Sequence, residues 1–247
     1  MNSILKRFTE PLPWWIEGIK QESFKKIWQS TLLKKCQMMD QEAMRVLMFR
    51  FWPFVNEFPK IISEHRSQIF LRELVRHPIH VYFLAKNVNE ILKEIRSDEI
   101  NHRSLWLTTS AVLGLKEDDL YFQVLKDFRV HNSAYLKVRG IIKKVQSPVS
   151  ILGNKTTSQE ALLRLAAVEI VAEGISLIVK DAFKRLNDKA GRWFDVHIYH
   201  NEDIMSHEEL VYKLAFAFDS KKPEREPVNV VIQEIVDLFI EAGEISY

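Results

Sequence analysis

Apolar residues recur at intervals of three and four from Ser158 to about Asp188, so one side of a helix there carries Leu162, Leu165, Ala166 and Ala172, with the small Ser176 a turn further on. Thr157 followed three residues later by Glu160 marks its start as a capping box. The same reading predicts helix over most of the chain. Gln41 to Glu64 has apolar residues on more than one face and holds Pro53 and Pro59, which predicts a buried, kinked helix or a helix pair. A second stretch, Arg66 to Leu92, breaks at His77-Pro78. Ser104 to Leu115 continues as an apolar helix closed by Gly114, and others run from Leu120 to about Val145 and from about Phe194 to Phe218. "VVIQEIVDLFIEA" is a final amphipathic helix, while "QSPVSILGNKTTSQE", "NDKAGRW" and "DSKKPEREPVN" read as connections.

Composition supports an all-α chain. Seven glycines in 247 residues is under half the usual share, too few for the many tight turns of an all-β protein. The length suffices for one sizeable core, no internal stretch is polar or Pro/Gly-rich enough to divide it, and no repeat is present, so residues 1–247 are expected to form a single domain.

The 35 basic and 33 acidic residues are spread along the chain and give a net charge of +2, with no single-sign field to attract nucleic acid. One cysteine, Cys36, excludes an intrachain disulfide or a multi-cysteine metal site and fits a reducing compartment. No run reaches the roughly 18 apolar residues of a membrane span. The N-terminus "MNSILKRFTEPLPWW" lacks the apolar core of a signal peptide. A cytoplasmic protein with neither membrane nor nucleic acid as partner is expected, and a homodimer is compatible with this.

The candidate chemistry lies in acids and histidines. On a continuous helix from about Phe194, His197, His200, Asp203 and His207 fall within an arc of about 120° and form one metal-ligand face. Glu169 stands in the middle of an apolar helix face, where an unpaired carboxylate is costly. His102 follows a run of acids, Glu90, Glu94, Asp98 and Glu99, with Leu105 and Trp106 turning that side inward. Three helices offering inward carboxylates and imidazoles suit a dinuclear iron site, with manganese as an alternative occupant. Zinc fits less well, since there is no His-Glu-x-x-His and carboxylates are in excess. Each piece also has a plain structural reading: solvated histidines, a solvated acid run, and a Glu169 paired with Lys180 or an arginine. His65, His77, His80 and His131 have no acidic face beside them and are read as structural or surface residues.

The stretches "RFWPFVNEFPKIISEH", "NVNEILKEIRSDEINHRSLWLTTSAVLGL", "LLRLAAVEIVAEG" and "WFDVHIYHNEDIMSH", in that order, resemble the haem-oxygenase-like superfamily over roughly Phe49 to Leu210. Within it they are similar to the iron-dependent oxidases and oxygenases grouped with thiaminase-like and pyrroloquinoline-quinone-synthesis proteins. The resemblance implies an all-α, haem-oxygenase-like helical bundle and a dinuclear iron oxidase or oxygenase using dioxygen on a small organic substrate. An apolar pocket lined by residues such as Phe49, Trp52, Trp106 and Trp193 is expected.

The family pattern carries over to His102 in "HRSLW", Glu169 in "AVE" and His197 in "FDVH". Four and seven residues after His197, where the pattern has Asp and His, stand Asn201 and Ile204. The ligands there are therefore His200 with Asp203 and His207, or His197 with Asp203 and His207 after a local bulge. Glu94 is taken as the first carboxylate, with Glu90 and Glu99 as alternatives.

The alternative function is a metal-free thiaminase-like or vitamin-precursor-binding protein, or an interaction module of the same fold. Thiaminase-like enzymes use an active-site cysteine, and Cys36 has no evident acid–base partner. The branch that makes p-aminobenzoate from its own side chains needs tyrosines where Val168 and Trp193 stand, which disfavours it; Lys180 is the feature that keeps it open.

Overall fold

The computed structural model describes residues 3–130, 132–151, 156–198, 205–218 and 223–244. Every regular element among them is helical, and none of these helices is long and apolar enough to cross a membrane. Three short N-terminal helices, α1 (Ser3–Thr9), α2 (Trp15–Ile27) and α3 (Thr31–Gln37), lead into α4 (Gln41–Arg76).

α4 is one helix, not a pair, and contains both Pro53 and Pro59. Asp40 caps its start, with Oδ1 accepting from the amides of Glu42 (3.0 Å) and Ala43 (3.1 Å). Each proline removes one backbone bond. Burial of Met44, Leu47, Met48, Phe51, Phe54 and Ile62 around it keeps the helix continuous. It ends at His77-Pro78, as the sequence predicts.

A 3-10 turn (Pro78–His80), the single turn α5 (Val81–Phe83) and a π-helical turn (Leu84–Asn89) run into α6 (Glu90–Val112). Gly114 follows at φ 74°, a left-handed position that favours glycine. α7 (Glu117–Val130) and α8 (Asn132–Val145) occupy the stretch expected to be one helix.

α9 (Ser158–Leu186) begins where the capping signal places it, with Thr157 Oγ1 accepting from the Glu160 amide at 3.1 Å. It packs against α2, α3, α10 (Asp188–Val196), α11 (His207–Ala217) and α12 (Arg225–Gly243), while α4 packs against α6, α7 and α8. α12 starts at Arg225, inside the expected connection. Nearly all the buried apolar residues join one continuous cluster. α6 and α10 pack on one another, so acids and imidazoles from α6, α10 and α11 converge on the middle of α9.

Candidate metal centre

α6 buries Leu92, Ile95, Glu99, His102 and Trp106, spaced by three and four, so Glu99 and His102 share the inward stripe with apolar side chains. His102 Nδ1 lies 2.8 Å from Glu99 Oε1. Burial opposes ionisation of Glu99, but the imidazole beside it and their hydrogen bond hold its carboxyl below the usual range. The ionised carboxylate accepts only, so Nδ1–H donates, and in the neutral ring the Nε2 lone pair of His102 is left unused.

His197 lies at the end of α10, where its Nδ1 donates to the carbonyl of Trp193 at 2.7 Å and again leaves Nε2 as the lone-pair nitrogen. Its ring centroid is 4.6 Å from that of His102 and 4.1 Å from that of Trp193. Burial first, then the neighbouring His102, pulls its pKa down to about 4, so the ring is neutral at pH 7. For His102 burial works downward, but Glu99 and Asp98 raise it above its ordinary value.

His207 opens α11. Its Nε2 is 3.1 Å from Asp98 Oδ2 and its Nδ1 is 4.0 Å from Glu169 Oε1. With Nε2–H donating to Asp98, Nδ1 faces Glu169. Each of the three imidazoles thus has one nitrogen committed to a fixed acceptor and one left over, the arrangement that orients metal-binding histidines. The donor atoms fall into two compact sets that share a residue. Glu99, His102 and His197 form one, Glu99, Glu169 and His207 the other, with ligand atoms within 4.8 Å of one another in each.

The electrostatics are lopsided. Burial pushes the Glu169 carboxyl well above its usual range, and Glu99, Glu208, Glu173 and Asp98 push it further. Glu208 is raised to about 6 by burial, against the pull of Lys20. Lys20 Nζ lies 2.7 Å from Glu173 Oε2 and 2.8 Å from Glu208 Oε2. Against that one ammonium, the five carboxylates of Asp98, Glu99, Glu169, Glu173 and Glu208, if ionised, leave four negative charges, as many as two divalent cations carry.

Two cavities meet here. A polar one of about 150 Å³ is lined by Asp98, His102, Glu169, Glu173, His197, His207 and Glu208. A narrower apolar one of about 50 Å³ is lined by Phe51, Phe54, Phe58, Trp106, Trp193 and Phe239, together with Glu99, Glu169 and His197. Glu169 and His197 therefore stand on the boundary between them.

Several expected residues are placed differently. Glu94 and Glu90 are exposed. At about 100° per residue, Glu94 sits roughly 80° round α6 from His102, on the side away from Glu99, and Glu99 is the carboxylate that meets the histidine. The helix expected from Phe194 to Phe218 is two helices. α10 ends at Val196, and α11 starts behind Ser206, whose Oγ accepts from the Glu209 amide at 3.1 Å. The "SHEE" run carries that Ser-x-x-Glu start signal. His200 and Asp203 lie outside the described residues.

Of the expected pocket aromatics, Trp106 and Trp193 line the apolar cavity. Trp52 is fully buried, with Tyr121 against it edge-on and Arg103 over its ring, and neither it nor Phe49 lines the cavity. Glu173, Glu208 and Lys20 escaped sequence reasoning, because nothing local marks a lysine on α2 as the partner of acids on α9 and α11.

No family model matches the chain, and no curated protein matches it. Among solved structures, a TenA homolog from Pseudomonas syringae pv. tomato superposes with a TM-score of 0.69 at 16% identity, covering 96% of this chain and 95% of that one. That likeness establishes the fold as a TenA-like, haem-oxygenase-like all-helical bundle.

Proposed function

We propose that the chain is a non-haem dinuclear metal oxidase or oxygenase, using iron, or manganese in its place, with dioxygen on a small organic substrate. The observation that supports it most is the pair of donor sets sharing Glu99. A carboxylate can bridge two ions, imidazoles can complete each coordination sphere, and a mixed O/N donor set suits iron or manganese. Glu99, His102 and His197 would hold one ion, and Glu99, Glu169 and His207 the other. Asp203 and His200 are proposed as further contributors. The acid-rich surround and the fixed ring orientations are consistent with this, and because the ligand forms are neutral imidazoles and ionised carboxylates, binding would displace the protons that Glu169 and His102 favour in its absence.

Bound iron would supply the redox chemistry that lets dioxygen react with an organic molecule. The chain's own part is positional. Asp98 keeps the Nε2 proton of His207, and the Trp193 carbonyl keeps the Nδ1 proton of His197, so neither ring can turn to present the wrong nitrogen. Trp106, Trp193 and the phenylalanines keep water from one side of the centre, where an apolar portion of the substrate would lie, while polar groups and protons reach it from the other.

The likeness to a TenA homolog favours, as the second reading, a metal-free thiaminase-like or precursor-binding protein. Cys36 is a poor nucleophile for that chemistry. It is fully buried on α3, lines neither cavity, and its thiol is pushed up to about 12 by burial and then by Asp40.

Iron-supplemented expression followed by metal analysis and oxygen-uptake assays separates the two. Two ions per chain and metal-dependent oxygen uptake support the first reading, and a metal-free chain after reconstitution refutes it.

A further inference from the structure

Outside the two donor sets, a half-buried cation among the described residues touches the centre's acidic wall. Lys20 on α2 bridges Glu173 and Glu208, each of which adjoins a residue of the second donor set in a different way. Glu173 stands one turn beyond Glu169 on α9, and Glu208 directly follows His207 at the start of α11. α2 comes close enough for this because Gly174, beside Glu173, carries no side chain. A Cβ there would stand 2.7 Å from Ile27 Cδ1 and 3.1 Å from Phe24 Cδ1, and Phe24 and Ile27 lie on the same side of α2 as Lys20. The glycine, the apolar contact and the ammonium together fix where the first turn of α11 sits against α9.

We propose that Lys20 is a positioning residue for the second donor set: by holding Glu173 and Glu208 on one ammonium, it sets the approach of His207 to Glu169. This rests on the dinuclear reading for its consequence on metal, but the geometry of His207 can be read without metal. Without the ammonium, two acids face one another in a mostly buried place with no shared partner to hold them, and the short first turn of α11 gives way more easily than the long α9. The remainder of α11 stays anchored through Val211, Leu214 and Ala215 in the core and through Arg7, whose guanidinium donates to the Ala217 carbonyl at 3.0 and 3.1 Å. Loss of Lys20 therefore displaces His207 without unfolding the helix. His102 and His197 have no such tether and keep their settings.

The test has two readouts on the full-length chain. In metal-free protein, long-range proton–nitrogen spectra of the imidazoles at fixed pH should show Lys20→Met shifting the His207 nitrogens while those of His102 and His197 stay in place. In anaerobic ferrous titrations, the second ion should bind about 10–100-fold more weakly and the first unchanged. Lys20→Arg should restore both. Glu173→Ala, which removes the acceptor on the α9 side of the bridge, should move His207 in the same sense and covers the case that Lys20→Met does not fold. An unmoved His207 in the variants that fold, or a second ion bound as tightly as in wild type or more tightly, overturns the proposal. If the wild-type chain takes up no metal, the dinuclear reading fails by itself, and the imidazole spectra still decide the role of Lys20.

Discussion

Glu99, His102 and Glu169 stand in the middle regions of long helices, whereas His197 and His207 stand at the end of one short helix and the start of another. The first group is positioned by the periodicity of its own helix, backed by apolar burial on the same stripe. The second is positioned by local bonds at helix ends: a backbone carbonyl for His197, and a serine cap, an aspartate and a lysine-bridged neighbour for His207. Mid-helix donors should therefore be hard to displace without removing the side chain itself. The helix-end donors should be adjustable through residues that never touch the centre.

The largest expected effects come from the donors themselves. Glu169→Ala should abolish the second ion while circular dichroism keeps its helical signal, because Leu162, Leu165, Ala166 and Ala172 still pack. Metal analysis checks it, and full metal content would make Glu169 an ordinary buried acid. His197→Ala and His207→Ala should each remove one ion and spare the other, since each belongs to one set. Loss of both ions in either would mean that the sets are not separable.

A smaller effect concerns pH in the metal-free chain. His197 has a folded pKa of about 4, below its unfolded value near 6.5. Between those values the unfolded chain binds a proton that the folded ring refuses, so its contribution to stability falls as pH drops from about 6.5 to about 4. Urea midpoints should therefore decline less with acid in His197→Gln than in wild type. An equal decline would place the burden on other groups.

The two helix caps sharpen the comparison further. Thr157→Ala and Ser206→Ala each remove a side-chain cap worth about 1 kcal/mol. Only Ser206→Ala, at the start of α11, should also weaken the second ion. Equal metal binding in both variants would count against control from the helix end. The smallest effect belongs to Glu94→Ala, which should leave metal binding intact and stability within about 0.5 kcal/mol, since that side chain is exposed.

The same division explains what could be read in the chain. The cap and inward face of α9, and with them Glu169, follow from local signals, as do the break at His77-Pro78 and the cap at Gly114. His102 was legible for the same reason. The resemblance leaves Glu90, Glu94 and Glu99 open, and a distance of two helical turns before His102 favours Glu94, although the stripe Leu92, Ile95, His102, Trp106 already includes position 99. Treating Phe194 to Phe218 as continuous helix overlooked the Ser206 to Glu209 start signal, yet His197 and His207 still meet through tertiary packing, which periodicity alone does not encode. Phe51, Phe54 and Phe58 line the apolar cavity rather than Phe49 and Trp52, because which face of a helix apolar all round meets the cavity depends on its neighbours. The bridge from Lys20 to Glu173 and Glu208 joins three helices distant in sequence and had no local signature.

Glu99 is the residue on which both donor sets depend, so its removal tests the account most directly. Metal-free wild-type and Glu99→Ala chains would be titrated with ferrous iron under anaerobic conditions and bound ion counted by equilibrium dialysis. The account predicts two ions per chain in wild type and loss or strong weakening of both in the variant, with helical content unchanged. A wild-type chain that saturates at one ion or none, or a Glu99→Ala chain that still binds two as tightly, would contradict it.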